Sequence, residues 1–401
     1  MVMPWPSKGF SPIAIDFGVD SIKLLQVVPG DPPRLFAAAK MAVPPEARTN
    51  PVARASFLPE ALRKLTREQE FHGRRVVCAI PALHTIVQNL QISTAEHPDI
   101  DGQVADQLRR RLNVDPSRMV IRSLSVDTPG RGQKQEILCI AARRDVVMQY
   151  VGIARQAKLE VVGMQCEPLA VMESFAHLYR RKHDDQLTTA LIDIGAGTTK
   201  FVIAHGSKVV FAKTIHAAGD HLIRHYAKSH DVDFSEAREA RIDQADSKPV
   251  SDARESGFAS PVDDLDRVSG ATPGRGSAGV AMLDTAVATD TKWRPQLPTS
   301  CTELKPDDTL ECLVDELSLS LRYHQSLFPD RGVDKIVFLG GESCHRWLCQ
   351  KIAQLLRLGA QLGDPLARLV RGSKKPPGID LRRPQPGWAV PMGLCLGETN
   401  L

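Results

Sequence analysis

The chain has 401 residues, 42% hydrophobic and 24% charged, the balance of a soluble globular protein long enough for two or three cored domains. A formal net charge of +4 is too small for this length to argue for nucleic acid, and runs such as Arg109-Arg110-Arg111 and Lys374-Lys375 read as solvated faces or loops. Eight scattered cysteines form no Cys-x-x-Cys or zinc spacing. No apolar stretch reaches the roughly 18 residues of a spanning helix, and the first residues lack the regions of a signal peptide. The expectation is a cytoplasmic protein that touches a membrane only through a partner.

From Pro12 to about Val43 the pattern is three strands joined by turns, with PGDPP at 29–33 as a hairpin loop. Pro51 to Phe71 reads as a helix with Leu58, Leu62 and Leu65 on one face. Two strand candidates flank Pro81 between Arg75 and Ile92. A polar helix follows at Asp101–Leu112, then strands at Met119–Val126 and Gln135–Ala142, and a helix over Arg144–Lys158. Residues 74–159 thus read as a compact α+β insertion into a first lobe that spans 1–73 and resumes at 160–188.

Leu159–Gln165 reads as a strand and Pro168–Arg181 as a helix. A second meander covers 189–195, 199–205 and 208–215, followed by a helix at Gly219–His230, and 189–241 opens a second lobe. Residues 242–300 are rich in Ser, Pro, Gly and Asp and poor in large apolar side chains. They are expected to be disordered or to form a solvent-exposed insertion, because they bury too little to offset chain entropy. A helix at Leu310–Phe328, a buried strand at Lys335–Leu339, a helix reaching Leu358 and a closing helix at Gly387–Leu396 complete the second lobe over 301–401.

The meanders say the same thing twice. IDFGVDSIK (Ile15–Lys23) aligns without gaps on IDIGAGTTK (Ile192–Lys200), 177 residues later. A hairpin tip with Gly and Ser or Thr offers bare N–H groups and hydroxyls to phosphate oxygens. An aspartate ending the preceding strand can hold Mg²⁺. One copy alone reads as an ordinary β-turn; two copies in the same strand context point to phosphate binding. Leu339-Gly340-Gly341 lets a flat ligand lie on the backbone, or serves a steric turn. Gly219-Asp220 is a ligand-facing helix start or an ordinary cap. Glu167-Pro168 offers a metal-water ligand or a charge complementing the helix dipole.

Turn one, an inserted domain, the Glu-Pro helix, turn two, Ala-Gly-Asp, Leu-Gly-Gly and a closing helix with Gly393 follow the order of the actin-like ATPase superfamily, which the chain resembles. IAIDFGVDSIKLLQV, CAIPALHTIVQNLQI and GAQLGDPLARL are similar to the PilM family of type IV pilus assembly proteins, and the insertion also resembles the extra domain of the cell-division actin homologue. The resemblance implies an α/β fold, a duplicated actin-like (ribonuclease H-like) two-lobed ATPase with a small α+β inserted domain and a long disordered insertion. It implies ATP and Mg²⁺. Asp16, Gly18, Ser21 and Lys23 would form the first phosphate turn. Asp193, Gly195, Gly197, Thr198, Thr199 and Lys200 would form the second. Gly219 and Asp220 would lie near the sugar or phosphates, Gly340 and Gly341 beside the adenosine, and Asp16, Asp193 and Glu167 near the metal.

No residue presents itself as the group that orients an attacking water, so at most slow ATPase activity is expected. The implied partner is the cytoplasmic N-terminal tail of a single-pass inner-membrane pilus assembly protein, PilN-like, with a homo-oligomer also compatible. A filament-forming division or cytoskeletal protein and a sugar-kinase-like phosphotransferase are the alternatives. This chain departs from the family at Ala218, where a glycine is usual, and at Arg238 and Arg241 in EAREAR, which replace a Glu and a Lys facing the nucleotide.

Overall fold

The computed structural model describes residues 9–93, 99–128, 134–181, 183–246, 309–370 and 379–397. Nearly all of the stretch expected to be disordered lies outside these residues, as do Lys374-Lys375. In chain order the first elements are β1 (Ile13–Phe17), β2 (Ser21–Val28), β3 (Arg34–Ala42), α1 (Pro45–Thr49), α2 (Pro51–Glu68) and β4 (Arg75–Ile80). An inserted unit follows: β5 (Thr85–Ser93), α3 (Ile100–Leu112), β6 (Met119–Val126) and β7 (Lys134–Arg143). The chain returns through α4 (Arg144–Gln156), β8 (Glu160–Cys166) and α5 (Glu167–Ala176). The second half comprises β9 (Thr188–Ile194), β10 (Thr199–His205), β11 (Lys208–Ile215), α6 (Gly219–His230), α7 (Phe234–Asp246), α8 (Thr309–Leu327), β12 (Lys335–Leu339), α9 (Arg346–Leu356), β13 (Ala360–Leu362) and α10 (Ala389–Leu396).

Two five-stranded sheets repeat one plan, β3-β2-β1-β4-β8 and β11-β10-β9-β12-β13. Each starts as an antiparallel meander and then adds two parallel strands, the second time through β12 beside β9 and β13 beside β12. The third strand from the edge is in both cases wholly buried, IAIDF and TTALIDI, as a strand covered on two faces must be. In α2, Asn50 caps the helix by accepting from the N–H groups of Val52 and Ala53, and Pro51 occupies the first turn, where it loses no bond. Its Leu58, Leu62 and Leu65 are buried against the first sheet's core with Ile13, Ile15 and Leu24.

Helices α5 and α10 cross between the sheets. The crossing is so close that a Cβ on Gly393 would lie 1.7 Å from the Ala170 carbonyl oxygen, so no larger residue fits. The inserted sheet, β5-β7-β6, packs α3 on one face through Leu90, Ile92, Val104, Leu108 and Cys139. Its other face shares a core with the second lobe, where Leu138 and Ile140 join the cluster containing Val210 and Phe211, and β5 lies against β11. The Tyr323 hydroxyl on α8 donates to Glu136 on β7 at 3.4 Å.

The fold corrects four boundaries. The insertion is narrower than 74–159, because β4 pairs with β1 in the first sheet and Tyr150, Ile153 and Ala154 of α4 are buried in the first lobe's core. The closing helix, assigned to the second lobe, packs against α5, β1, β2 and β4. Helix α7 runs to Asp246, past the expected break at 242. Between β12 and α9 stands a separate 3₁₀ turn, Gly341–Cys344, where one continuous helix was expected.

Candidate functional site

The repeated motifs fold into the same object twice. In β1–β2, Asp16 stands opposite Lys23; in β9–β10, Asp193 stands opposite Lys200. The first pair is an ion pair at 3.1 Å. In the second, Lys200 Nζ is 3.3 Å from Asp193 and 3.3 Å from Glu167, the first residue of α5. The turns need their leading glycines: a Cβ on Gly18 would meet the Ser21 carbonyl oxygen at 2.6 Å, and one on Gly195 the Thr198 oxygen at 3.0 Å. Asp16, Ser21, Asp193, Thr198, Lys200 and Glu167 are all buried.

Both aspartates face one place. Burial pushes the Glu167 carboxyl upward; Lys200 opposes this, while Asp16 and Asp193 add to it. Burial pushes the Lys200 ammonium downward, but Asp193, Glu167 and Asp16 outweigh it, and the group stays firmly charged. Lys200 therefore sits between Asp193 and Glu167, with the Asp16–Lys23 pair of the other hairpin near enough to be felt by both Lys200 and Glu167.

The tips meet. A Cβ on Gly197 would lie 2.7 Å from Val19 Cγ2, so the glycine makes room for the facing turn. Arg54 on α2 donates to the carbonyls of Phe17 and Gly18 at 2.8 and 2.9 Å and so fixes the first turn. The second is fixed from below, with Gly195 N donating to Thr198 O at 3.0 Å and the α6 N–H groups of Gly219 and Asp220 donating to Gly195 and Ala196. The Thr199 hydroxyl donates to Ala217 O at 2.7 Å, tying the turn to the start of α6. The N–H groups of Gly18, Val19 and Asp20, and of Ala196, Gly197 and Thr198, have no acceptor among the described residues. Consecutive free N–H groups in a turn form an anion-binding concavity.

Around the turns lies a charge network that crosses between the lobes. Arg48 on α1 contacts Asp220 on α6 at 2.5 Å and Asp20 of the first turn at 3.2 Å. Arg238 on α7 reaches the same Asp20 at 2.6 Å. Arg241 pairs with Glu342 at 2.8 Å. Burial pushes the Asp220 carboxyl up, against the pull of Arg48 and Arg224. A Cβ on Gly219 would be 2.6 Å from Glu342 Oε1, so the Glu342 side chain lies over the α6 start. Gly340 has φ +87° and comes so close to β9 that a Cβ would meet Ile194 O at 2.2 Å; Gly341 has open space around it.

The predicted site residues thus fall on the facing hairpins, at the first residues of α5 and α6, and at the turn after β12. Sequence reasoning missed Arg48, Arg54, Asp20 and Glu342. Asp20 was readable as the acidic residue inside turn one, whereas the two arginines carry no motif.

A polyanion fits this arrangement, because two N–H concavities and three arginines converge and Gly341 leaves room. A directly bound divalent ion does not. The expected carboxylates Asp16, Glu167 and Asp193 are paired with the ammonium groups of Lys23 and Lys200. Among the described residues no three His, Cys, Asp or Glu side chains come together as a metal site.

Duplicated sheets, paired acid-tipped hairpins and two helices between them define an actin-like ATPase fold. The chain belongs to the type IV pilus assembly protein PilM family, whose model matches residues 14–249. It is similar to a chain of a PilM–PilN type IV pilus biogenesis complex, with TM-score 0.70, 19% identity and coverage of 98% of each chain. It also matches the ethanolamine utilization protein EutJ from Carboxydothermus hydrogenoformans at TM-score 0.47 and 14% identity, covering 99% of this chain and 92% of that one. A Bacteroides thetaiotaomicron protein with actin-like ATPase fold matches at TM-score 0.42 and 6% identity, covering 88% and 90%. Among the described residues no helix is long and apolar enough to cross a membrane.

Proposed function

We propose that this protein is a nucleotide-binding assembly factor of a type IV pilus machine, which docks the cytoplasmic tail of a PilN-like inner-membrane protein and links that docking to ATP held between its lobes. The observation that carries the nucleotide half is the pair of facing turns, each with three consecutive free N–H groups, at 18–20 and 196–198. The phosphates would lie on these turns, with Ser21, Thr198 and Lys23 at hand. The sugar would lie towards Gly219 and Asp220, and the base over Gly340 and Gly341. Arg48, Arg238 and Arg241 would exchange carboxylate partners for phosphate as the ligand enters.

The partner half rests on the likeness to a chain of the PilM–PilN complex and on an exposed apolar surface. Leu83, Val120 and Met148 are exposed where the inserted sheet joins the first lobe. Val120 is in register with Ala142, which packs on Ile80 and Val147. An extended or helical tail with apolar anchors suits that surface.

The test uses a fluorescent peptide of the N-terminal tail of a PilN protein, with anisotropy read with and without ATP, and thermal shift read in parallel. The expected result is saturable binding whose affinity ATP changes, ATP stabilisation lost in Asp193→Ala, and peptide binding weakened at least tenfold in Met148→Asp. A peptide that never binds sinks the docking claim; a melting temperature indifferent to ATP sinks the nucleotide claim.

A further inference from the structure

We propose that the Lys200 ammonium is the built-in counter-cation of the Glu167–Asp193 pair, as Lys23 is of Asp16, so that the site takes a phosphate-bearing ligand without a divalent metal. The inference rests on the nucleotide reading above and deepens it.

The two hairpins differ in one decisive way. Lys23 pairs with a single carboxylate and its side chain is 15% exposed, whereas Lys200 is held by two and its side chain is 7% exposed. The difference comes from Glu167, which α5 delivers to the second hairpin. Lys200 Nζ lies directly beneath turn two, where a Cβ on Gly195 would be 3.3 Å from it. That places a fixed positive charge under the turn whose N–H groups at 196–198 have no acceptor among the described residues.

A divalent ion bound directly by Asp193 or Glu167 would sit beside this ammonium and be repelled by it. It would also face Lys23 across Asp16. Lys200 cannot swing clear cheaply, because its departure leaves two buried carboxylates together without a cation. An ammonium is a compact point charge that serves phosphate oxygens as well as carboxylates. It thus offsets part of the charge of Glu167 and Asp193 and keeps a cation close beneath the phosphate turn. The role a metal would play is assigned to a side chain.

The experiment uses the full chain. Mn²⁺ binding is read by the loss of the free-ion electron paramagnetic resonance signal, and ATP binding by thermal shift and titration in EDTA and in Mg²⁺. The wild type is expected to bind no Mn²⁺ in the absence of nucleotide. Its ATP dissociation constant should agree within twofold between the two buffers. Lys200→Gln should gain one Mn²⁺ site and bind ATP at least tenfold more weakly in EDTA than in Mg²⁺.

One equivalent of Mn²⁺ on the wild type, or a tenfold loss of its ATP affinity in EDTA, overturns the proposal. Should Lys200→Gln fail to fold, the two wild-type measurements decide alone. A wild type blind to ATP in both buffers removes the nucleotide reading itself. The two failures read differently: Mn²⁺ uptake, or EDTA sensitivity, with ATP binding intact refutes the counter-cation alone.

Discussion

At the scale of single residues, His205 and His324 carry a clear expectation. Their Nε2 atoms lie 3.0 Å apart in the second lobe's core, with Phe328 against both rings. One ring must donate and the other accept, so the two cannot both be charged in the fold. Burial, with Arg331 nearby, pushes each down to about 4; for His205 the partner ring contributes as well. The unfolded chain takes up protons on both rings below about 6.5, while the folded one does not until about 4. Stability from this pair is therefore complete above the unfolded value and is lost as pH falls towards 4, at roughly 1.4 kcal/mol per pH unit for each ring. Urea denaturation between pH 7 and 5 should show that decline, and His324→Phe, which removes one titrating ring, should make it shallower. An unchanged slope in the variant refutes the assignment.

At the scale of elements, much was legible in the sequence. Strands β6 and β12 and helix α6 stand where apolar pattern and turn residues put them, because local chemistry marks both their ends. The twin hairpins were readable for the same reason: Asp, Gly and Lys at equal spacing fold into equal registers. Ownership of elements was not readable. Nothing local in β4 or α10 says which sheet each will join, since that depends on strand pairing across the whole chain. Helix α10 shows what such a long-range contact demands, because Gly393 sits on the Ala170 carbonyl with no space for a methyl group. Gly393→Ala should push α10 off α5 and cost about 3–5 kcal/mol by equilibrium unfolding, in the range of severe core disruption. A loss under about 1 kcal/mol would mean that the crossing yields.

At the scale of the whole molecule, the lobes are joined by charge as well as by apolar packing. Arg48 lies 172 residues from Asp220 in sequence, and a lone arginine after a strand gives no sign of such a partner. The side chains of Arg48 and Asp220 are 8% and 12% exposed, so removing the arginine strands a largely buried carboxylate. Arg48→Ala should cost about 2–3 kcal/mol and raise hydrogen–deuterium exchange at both α1 and α6. Faster exchange at α1 alone would mean that the arginine braces only its own lobe.

The inserted sheet branches from the first lobe yet leans on β11 of the second, with Tyr323 reaching across to Glu136. That makes it a strut with both ends anchored. Any hinge motion of one half against the other has to slide this seam, and whatever grips the strut from outside resists or assists the slide. Pull on the inserted sheet and rotation of one lobe against the other therefore load the same joint.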